Sequence, residues 1–184
     1  MGKIYIITGN GAGKTTSALG LAMRSVGHNH NVVMVQFMKF WKNTGEYLMQ
    51  KKIGKNYKVY QFGRPAWLKI DGGKAEFGKK KFHLEAIKKI DREYALRGLG
   101  KAEEIMLHHK SDLLILDEIC LAVQSGILKE KEVLDFMRKV PAKTTLVLTG
   151  RGATREMKRN ADFVNEVRAV KYPKNAEAEK GIQF

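Results

Sequence analysis

Eight consecutive residues, Gly9-Asn10-Gly11-Ala12-Gly13-Lys14-Thr15-Thr16, have the types and spacing to bind phosphate. Glycines let backbone N–H groups turn inward around anionic oxygens, and a helix N-terminus placed behind them adds a favourable dipole. Lys14 supplies a compact positive charge, and the Thr15 hydroxyl can reach a phosphate-bound Mg²⁺. The strict phosphate-loop pattern asks for a further glycine five residues before Gly13, where this chain has Thr8. The alternative is a glycine-rich turn that happens to precede a helix. The strand–loop–helix context favours a phosphate-binding loop.

A second constellation is Leu113-Leu114-Ile115-Leu116-Asp117-Glu118, an apolar run ending in two acids. A strand of this kind delivers carboxylates to the C-terminal edge of a sheet, where they can bind Mg²⁺ directly or through water. A turn or a helix cap explains an isolated Asp-Glu equally well. Coupled to the glycine loop, the pair reads as a metal site of Thr15, Asp117 and Glu118. Thr149-Gly150-Arg151-Gly152 follows another apolar run, and Arg151 can fork onto phosphate or carboxylate, or lie solvated in an ordinary turn. Cys120 reads as a small buried residue without a His partner, not as a nucleophile. Met23, Met34, Met38, Met49, Met106, Met137 and Met157 read as core fillers.

Apolar runs alternate with amphipathic stretches, so the chain is expected to be α/β: a mostly parallel central sheet flanked by crossover helices. Strands are expected at residues 3–8, 32–37, 57–62, 113–116, 145–148 and 163–170. Helices are expected at 15–26, 46–53, 129–139 and 154–161. Phe82, Ala86, Ile90 and Tyr94 recur at helical spacing and predict a further helix running on to His109. Residues 63–80 fit no period and carry Gly63, Pro65 and several lysines, which suits a functional lid. No repeat and no linker interrupts the pattern, so residues 1–184 read as a single domain.

Thirty-four Lys and Arg stand against 19 Asp and Glu, a formal charge of +15. That field favours anionic partners, with a Lys-rich solvated surface as the plain alternative. One cysteine excludes an internal disulfide framework. No apolar window approaches a membrane span or a signal-peptide core, so a soluble, cytoplasmic protein is expected.

These residues carry a family resemblance. TGNGAGKTT at 8–16, VGH at 26–28, VQFMK at 35–39, LDE at 116–118, TGRG at 149–152 and Gly181-Ile182 resemble, in order, the P-loop ATP:corrinoid (cob(I)alamin) adenosyltransferases of cobalamin synthesis and salvage. The resemblance is thinnest over 63–81. It implies a RecA-like P-loop NTPase fold, a homodimer, and transfer of the 5′-deoxyadenosyl group of ATP to the Co(I) of a corrinoid with release of triphosphate. It implies that Lys14, the loop amides and Mg²⁺ stabilise the leaving group, with Thr15 and Glu118 around the metal and Asp117 beside them. Gln36 and Lys39 match the second-strand block and are expected to line the nucleotide or corrinoid cleft. Trp67 stands at the family's aromatic lid position and is expected against the lower corrin face. The family's Phe two residues earlier is Pro65 here, its loop Lys is Ala12, and its Tyr after the acid pair is Leu121. A reduced flavoprotein is the implied electron donor, and its acidic surface would suit the +15 charge. Two rival readings are a P-loop kinase of a nucleoside or small metabolite, which would need a carboxylate base that no motif supplies, and a basic nucleic-acid-binding module. The second is disfavoured because Phe62, Trp67 and Phe77 are the only aromatics interleaved with its basic loop.

Overall fold

A computed structural model describes residues 2–69, 76–77, 80–81, 84–108, 110–171 and 179–182. Six strands form one sheet: β1 (Ile4–Thr8), β2 (Val32–Phe37), β3 (Tyr57–Phe62), β8 (Leu113–Asp117), β9 (Thr145–Thr149) and β10 (Phe163–Glu166). Their order is β10-β1-β9-β8-β2-β3, and every neighbouring pair is parallel. All residues of β2 and β8 are buried, as the continuous apolar runs VVMVQF and LLILD require of strands covered on both faces.

Helices cover the two faces. On one side α1 (Lys14–Gly27) and α2 (Gly45–Ile53) pack over a cluster that includes Ala18, Ala22, Met34, Ile115 and Val147. On the other, α3 (Lys89–Leu107), α4 (Ile119–Gln124), α5 (Glu130–Arg138) and α6 (Arg155–Arg159) enclose a larger core around Val35, Phe37, Leu114, Leu116 and Phe136. Truncating Leu114 or Leu116 to Ala in such a core costs about 2–5 kcal/mol. Gly98 lets α3 lie close to the sheet, since a Cβ there would stand 3.0 Å from the Phe37 ring and 3.2 Å from that of Phe62. Among the described residues no helix is long and apolar enough to cross a membrane.

Several boundaries differ from the sequence reading. The helix expected from residue 82 begins at Lys89, preceded by β7 (Leu84–Glu85), which pairs with β4 (Trp67–Leu68). The start is fixed by a distant cation. Arg64 Nε donates to Asp91 Oδ1 at 2.7 Å, Arg64 Nη1 donates to Glu85, and the Lys88 amide donates to Asp91 Oδ2 at 2.8 Å. Phe82 lies outside the described residues. A short antiparallel pair, β5 (Glu76–Phe77) with β6 (Lys80–Lys81), falls within the stretch read as irregular. The last strand stops at Glu166 instead of 170, and α4, directly after the acid pair, had no counterpart in the sequence reading. Met34, Met106, Met137 and Met157 are buried as expected, whereas Met23 is 58% exposed on α1.

Candidate nucleotide and corrinoid site

The site lies at the C-terminal edge of the sheet, where the phosphate-loop candidate leaves β1. Gly9 (φ +105°) and Gly13 (φ +104°) adopt left-handed conformations that favour glycine. A Cβ on Gly9 would stand 2.4 Å from the Val167 carbonyl oxygen. The loop is fastened to the chain beyond β10: the Val167 amide donates to Thr8 O at 2.7 Å and the Gly11 amide to Val167 O at 2.9 Å. Thr8, where the strict motif has glycine, is buried and its Oγ1 accepts from the Ala153 amide at 3.3 Å. Asn10, Ala12, Gly13 and Thr16 face solvent along the rim.

Lys14 opens α1 with only 8% exposure, and its Nζ donates to the Gly11 carbonyl at 2.7 Å. Burial pulls this ammonium below the ordinary lysine range. The Glu118 carboxylate opposes that shift, and Arg151 adds to it. A buried cation bonded to a neutral carbonyl is short of negative charge, which a phosphate would supply.

Asp117 is fully buried and saturated. Its Oδ1 accepts from Thr15 Oγ1 at 2.8 Å and Thr149 Oγ1 at 2.7 Å, and its Oδ2 accepts from Lys39 Nζ at 2.8 Å and Gln36 Nε2 at 3.0 Å. Burial pushes its carboxyl pKa up, but the Lys39 charge and the Lys39, Thr149 and Thr15 donors outweigh burial and set it below the usual range. Burial likewise opposes the charge on Lys39, and Asp117 and Glu46 reverse it, raising the ammonium above the ordinary value.

Glu118 is different. It sits at φ +64°, a left-handed conformation that costs a non-glycine residue energy, and its amide donates to Thr149 Oγ1 at 3.0 Å. Its Oε2 is buried without a hydrogen-bond partner. Burial, then the neighbouring Asp117 charge, raises its pKa. An orphaned carboxylate oxygen is a fit for a hard cation, which takes oxygen ligands. Among the described residues no group of three His, Cys, Asp or Glu could hold a metal. A divalent ion here would therefore need phosphate oxygens as well as Thr15 and Glu118.

Arg151 lies in the exposed turn after β9, near enough to Lys14 and Glu118 to bear on both charges. Gln36 and Lys39 reach Glu46 as well as Asp117, at 3.0 and 3.5 Å. Between α1 and α2 a cleft of about 340 Å³ opens beside Thr15, Thr16, Lys39 and Glu46, with Ile182 of the terminal segment on its wall. Trp67 is 43% exposed and stacks on Trp41, with ring centroids 6.1 Å apart and planes inclined by 29°.

The fold thus gathers Lys14, Thr15, Asp117, Glu118, Gln36 and Lys39 into one network, with Arg151 at its border. Trp67 joins through Trp41, whose carbonyl accepts from Gln61 Nε2 at 3.0 Å, while the same amide donates to Gln36 Oε1 at 3.0 Å. Glu46, Gln61, Trp41 and Thr149 were not among the candidates. Glu46 opens α2, where an acid reads as a favourable partner of the helix dipole. Thr149 simply closes an apolar strand, with no chemical signature of its own.

Comparison with known proteins identifies the family. The sequence model of the family described as "ATP:corrinoid adenosyltransferase BtuR/CobO/CobP" matches residues 1–184. The chain is similar to a corrinoid adenosyltransferase of Escherichia coli (strain K12), 33% identical over 187 residues that cover 100% of this chain and 86% of the relative. It is similar also to the corrinoid adenosyltransferase CobA of Salmonella typhimurium (strain LT2), at 32% over 186 residues, 100% of this chain and 86% of the relative. A corrinoid adenosyltransferase of Pseudomonas aeruginosa is 30% identical over 185 residues, 100% of this chain and 84% of the relative. With phosphate loop, strand-end acids and terminal segment all inside the matched span, the chain belongs to the ATP:corrinoid adenosyltransferase family.

Proposed function

We propose that this protein transfers the 5′-deoxyadenosyl group of ATP to the Co(I) of a reduced corrinoid, releasing triphosphate. The observation that carries the reading is Lys14, a buried ammonium whose bond inside the glycine turn is to a neutral carbonyl. In the reaction the Co(I) electron pair attacks the ribose C5′, a Co–C bond forms, and the C5′–O bond breaks with its electrons leaving on triphosphate. No protein nucleophile or base is required. The protein's work is to align the two substrates and to stabilise the leaving charge, and alignment alone can contribute about 7–11 kcal/mol.

Lys14 and the loop amides bind the triphosphate from one side, and Arg151 reaches it from the turn after β9. Thr15 and Glu118 would hold Mg²⁺, which supplies further positive charge to the departing oxygens. Asp117, saturated by four donors, orients Thr15 and Lys39. Gln36 and Lys39 form the polar floor between the nucleotide and the corrinoid. Trp67 packs on the lower face of the corrin, where an apolar surface favours loss of the axial ligand and so eases reduction to Co(I). We read residues 1–184 as one such catalytic domain, working in the cytoplasm as a homodimer, with a reduced flavoprotein as electron donor steered by the +15 charge.

One anaerobic assay tests the function. Protein, MgATP and chemically reduced cobalamin are mixed, the Co(I) spectrum is followed and the phosphate product identified. Loss of Co(I) absorbance with one free triphosphate per corrinoid is expected. ADP formed with an unchanged corrinoid spectrum would overturn the proposal in favour of a kinase.

A further inference from the structure

The chain has two tryptophans, Trp41 and Trp67, and the fold stacks one on the other. Both are substantially exposed, at 39% and 43%, and Phe40, at 43%, stands edge-on to Trp41 with ring centroids 6.0 Å apart. Single exposed apolar side chains are ordinary, but Trp41 touching Phe40 of its own segment and Trp67 of another makes a patch that calls for an occupant. We propose that Trp41 is a second corrinoid-contacting residue, its indole forming with Trp67 an aromatic support for the flat apolar face of the macrocycle. The inference rests on the function proposed above.

Three observations place the occupant. Trp41 follows β2 two residues after Lys39, whose Nζ contacts Asp117 at the nucleotide site, so the patch adjoins the polar network where adenosyl transfer would occur. The backbone carrying the indole is tethered: Gln61 donates to the Trp41 carbonyl and to Gln36 Oε1, and Gln36 donates to Asp117. An unbroken hydrogen-bonded chain therefore runs from Thr15 of the phosphate loop to the aromatic pair. The Gln61 bond fixes the Trp41 backbone and the stack on Trp67 orders its indole, so little further ordering is needed when a ligand binds. A corrinoid meets these requirements, since its ring is planar and its cobalt must lie near the ribose held at the loop.

Because there are two indoles, a ¹H–¹⁵N spectrum carries two indole N–H signals, assigned by their loss in Trp41→Phe and Trp67→Phe. Titrating the full chain with diamagnetic hydroxocobalamin should shift the Trp41 signal saturably, whereas MgATP alone should leave it nearly in place. In the adenosylation assay Trp41→Ala should raise the corrinoid KM at least fivefold with the ATP KM within twofold of wild type, and Trp41→Phe should recover most of the loss. A Trp41 signal unmoved by saturating hydroxocobalamin, or one moved equally by ATP alone, overturns the inference. So does an unchanged corrinoid KM in active Trp41→Ala. A signal that shifts with protein concentration in the absence of corrinoid would show that a second copy of the chain covers the patch, and overturns it too. A wild-type chain that adenosylates no reduced corrinoid is a separate result, and overturns the function itself.

Discussion

Lys39 Nζ lies 2.8 Å from Asp117 Oδ2, joining the segment after β2 to the end of β8 across the sheet's C-terminal edge. Asp117 is 0% exposed, so this ammonium is what balances its charge. Lys39→Met would leave a buried carboxylate with only neutral donors, at a cost of about 3–5 kcal/mol. Urea unfolding should show the midpoint falling accordingly. An unchanged midpoint would mean that the Thr15, Thr149 and Gln36 donors suffice.

Glu118 makes the opposite case. Its Oε2 has no partner, and burial with the Asp117 charge beside it favours the neutral form. Glu118→Gln keeps the shape and removes the charge, so the ligand-free protein should gain about 1 kcal/mol, or roughly 2–4 °C in Tm for a chain of this size. Turnover should fall at least tenfold at the same time. A variant that loses stability would show that Lys14 compensates Glu118 more fully than its raised pKa implies.

For Lys14 the two effects separate. Burial disfavours its charge, so Lys14→Ala removes little that stabilises the ligand-free fold. Its kcat/KM should nevertheless drop well over tenfold, the loss of a transition-state contact to the leaving triphosphate. Near-normal activity would remove the phosphate assignment.

Cys120 is fully buried on α4, and burial, with Glu118 adding to it, pushes its thiol up to about 12. At pH 8 the thiolate is then about one part in ten thousand. Iodoacetamide should leave the folded protein unmodified by mass spectrometry over an hour and label it fully in 6 M guanidinium. Rapid labelling of the folded chain would mean that α4 opens readily.

The strands and the phosphate loop were legible because their signals are local. VVMVQF and LLILD are apolar throughout, and the glycines stand where backbone must turn. The start of α3 was not legible, because Arg64 fixes it from 27 residues away through Asp91. Spacing alone did not tell Asp117 from Glu118; only the family resemblance ranked Glu118 first at the metal. The fold separates them, giving one four donors and leaving an oxygen of the other bare. Glu46, Gln61 and Trp41 acquire roles only through partners brought by other strands, and Met23 shows that an apolar position on a helix can still face out.

The strand order has a consequence for biosynthesis. β1 precedes the other five strands of its sheet, yet both its neighbours, β9 and β10, are the last two of them, and the Ile4 amide waits 158 positions for the Asp162 carboxylate. Contacts of such sequence separation form slowly, and until then β1 presents two bare edges that invite misassembly. Nascent chains, and any fragment ending before residue 163, lack the wall against which Gly9 and Gly11 are pressed. The glycine loop can therefore take its folded shape only once β10 and the residues just beyond it have emerged.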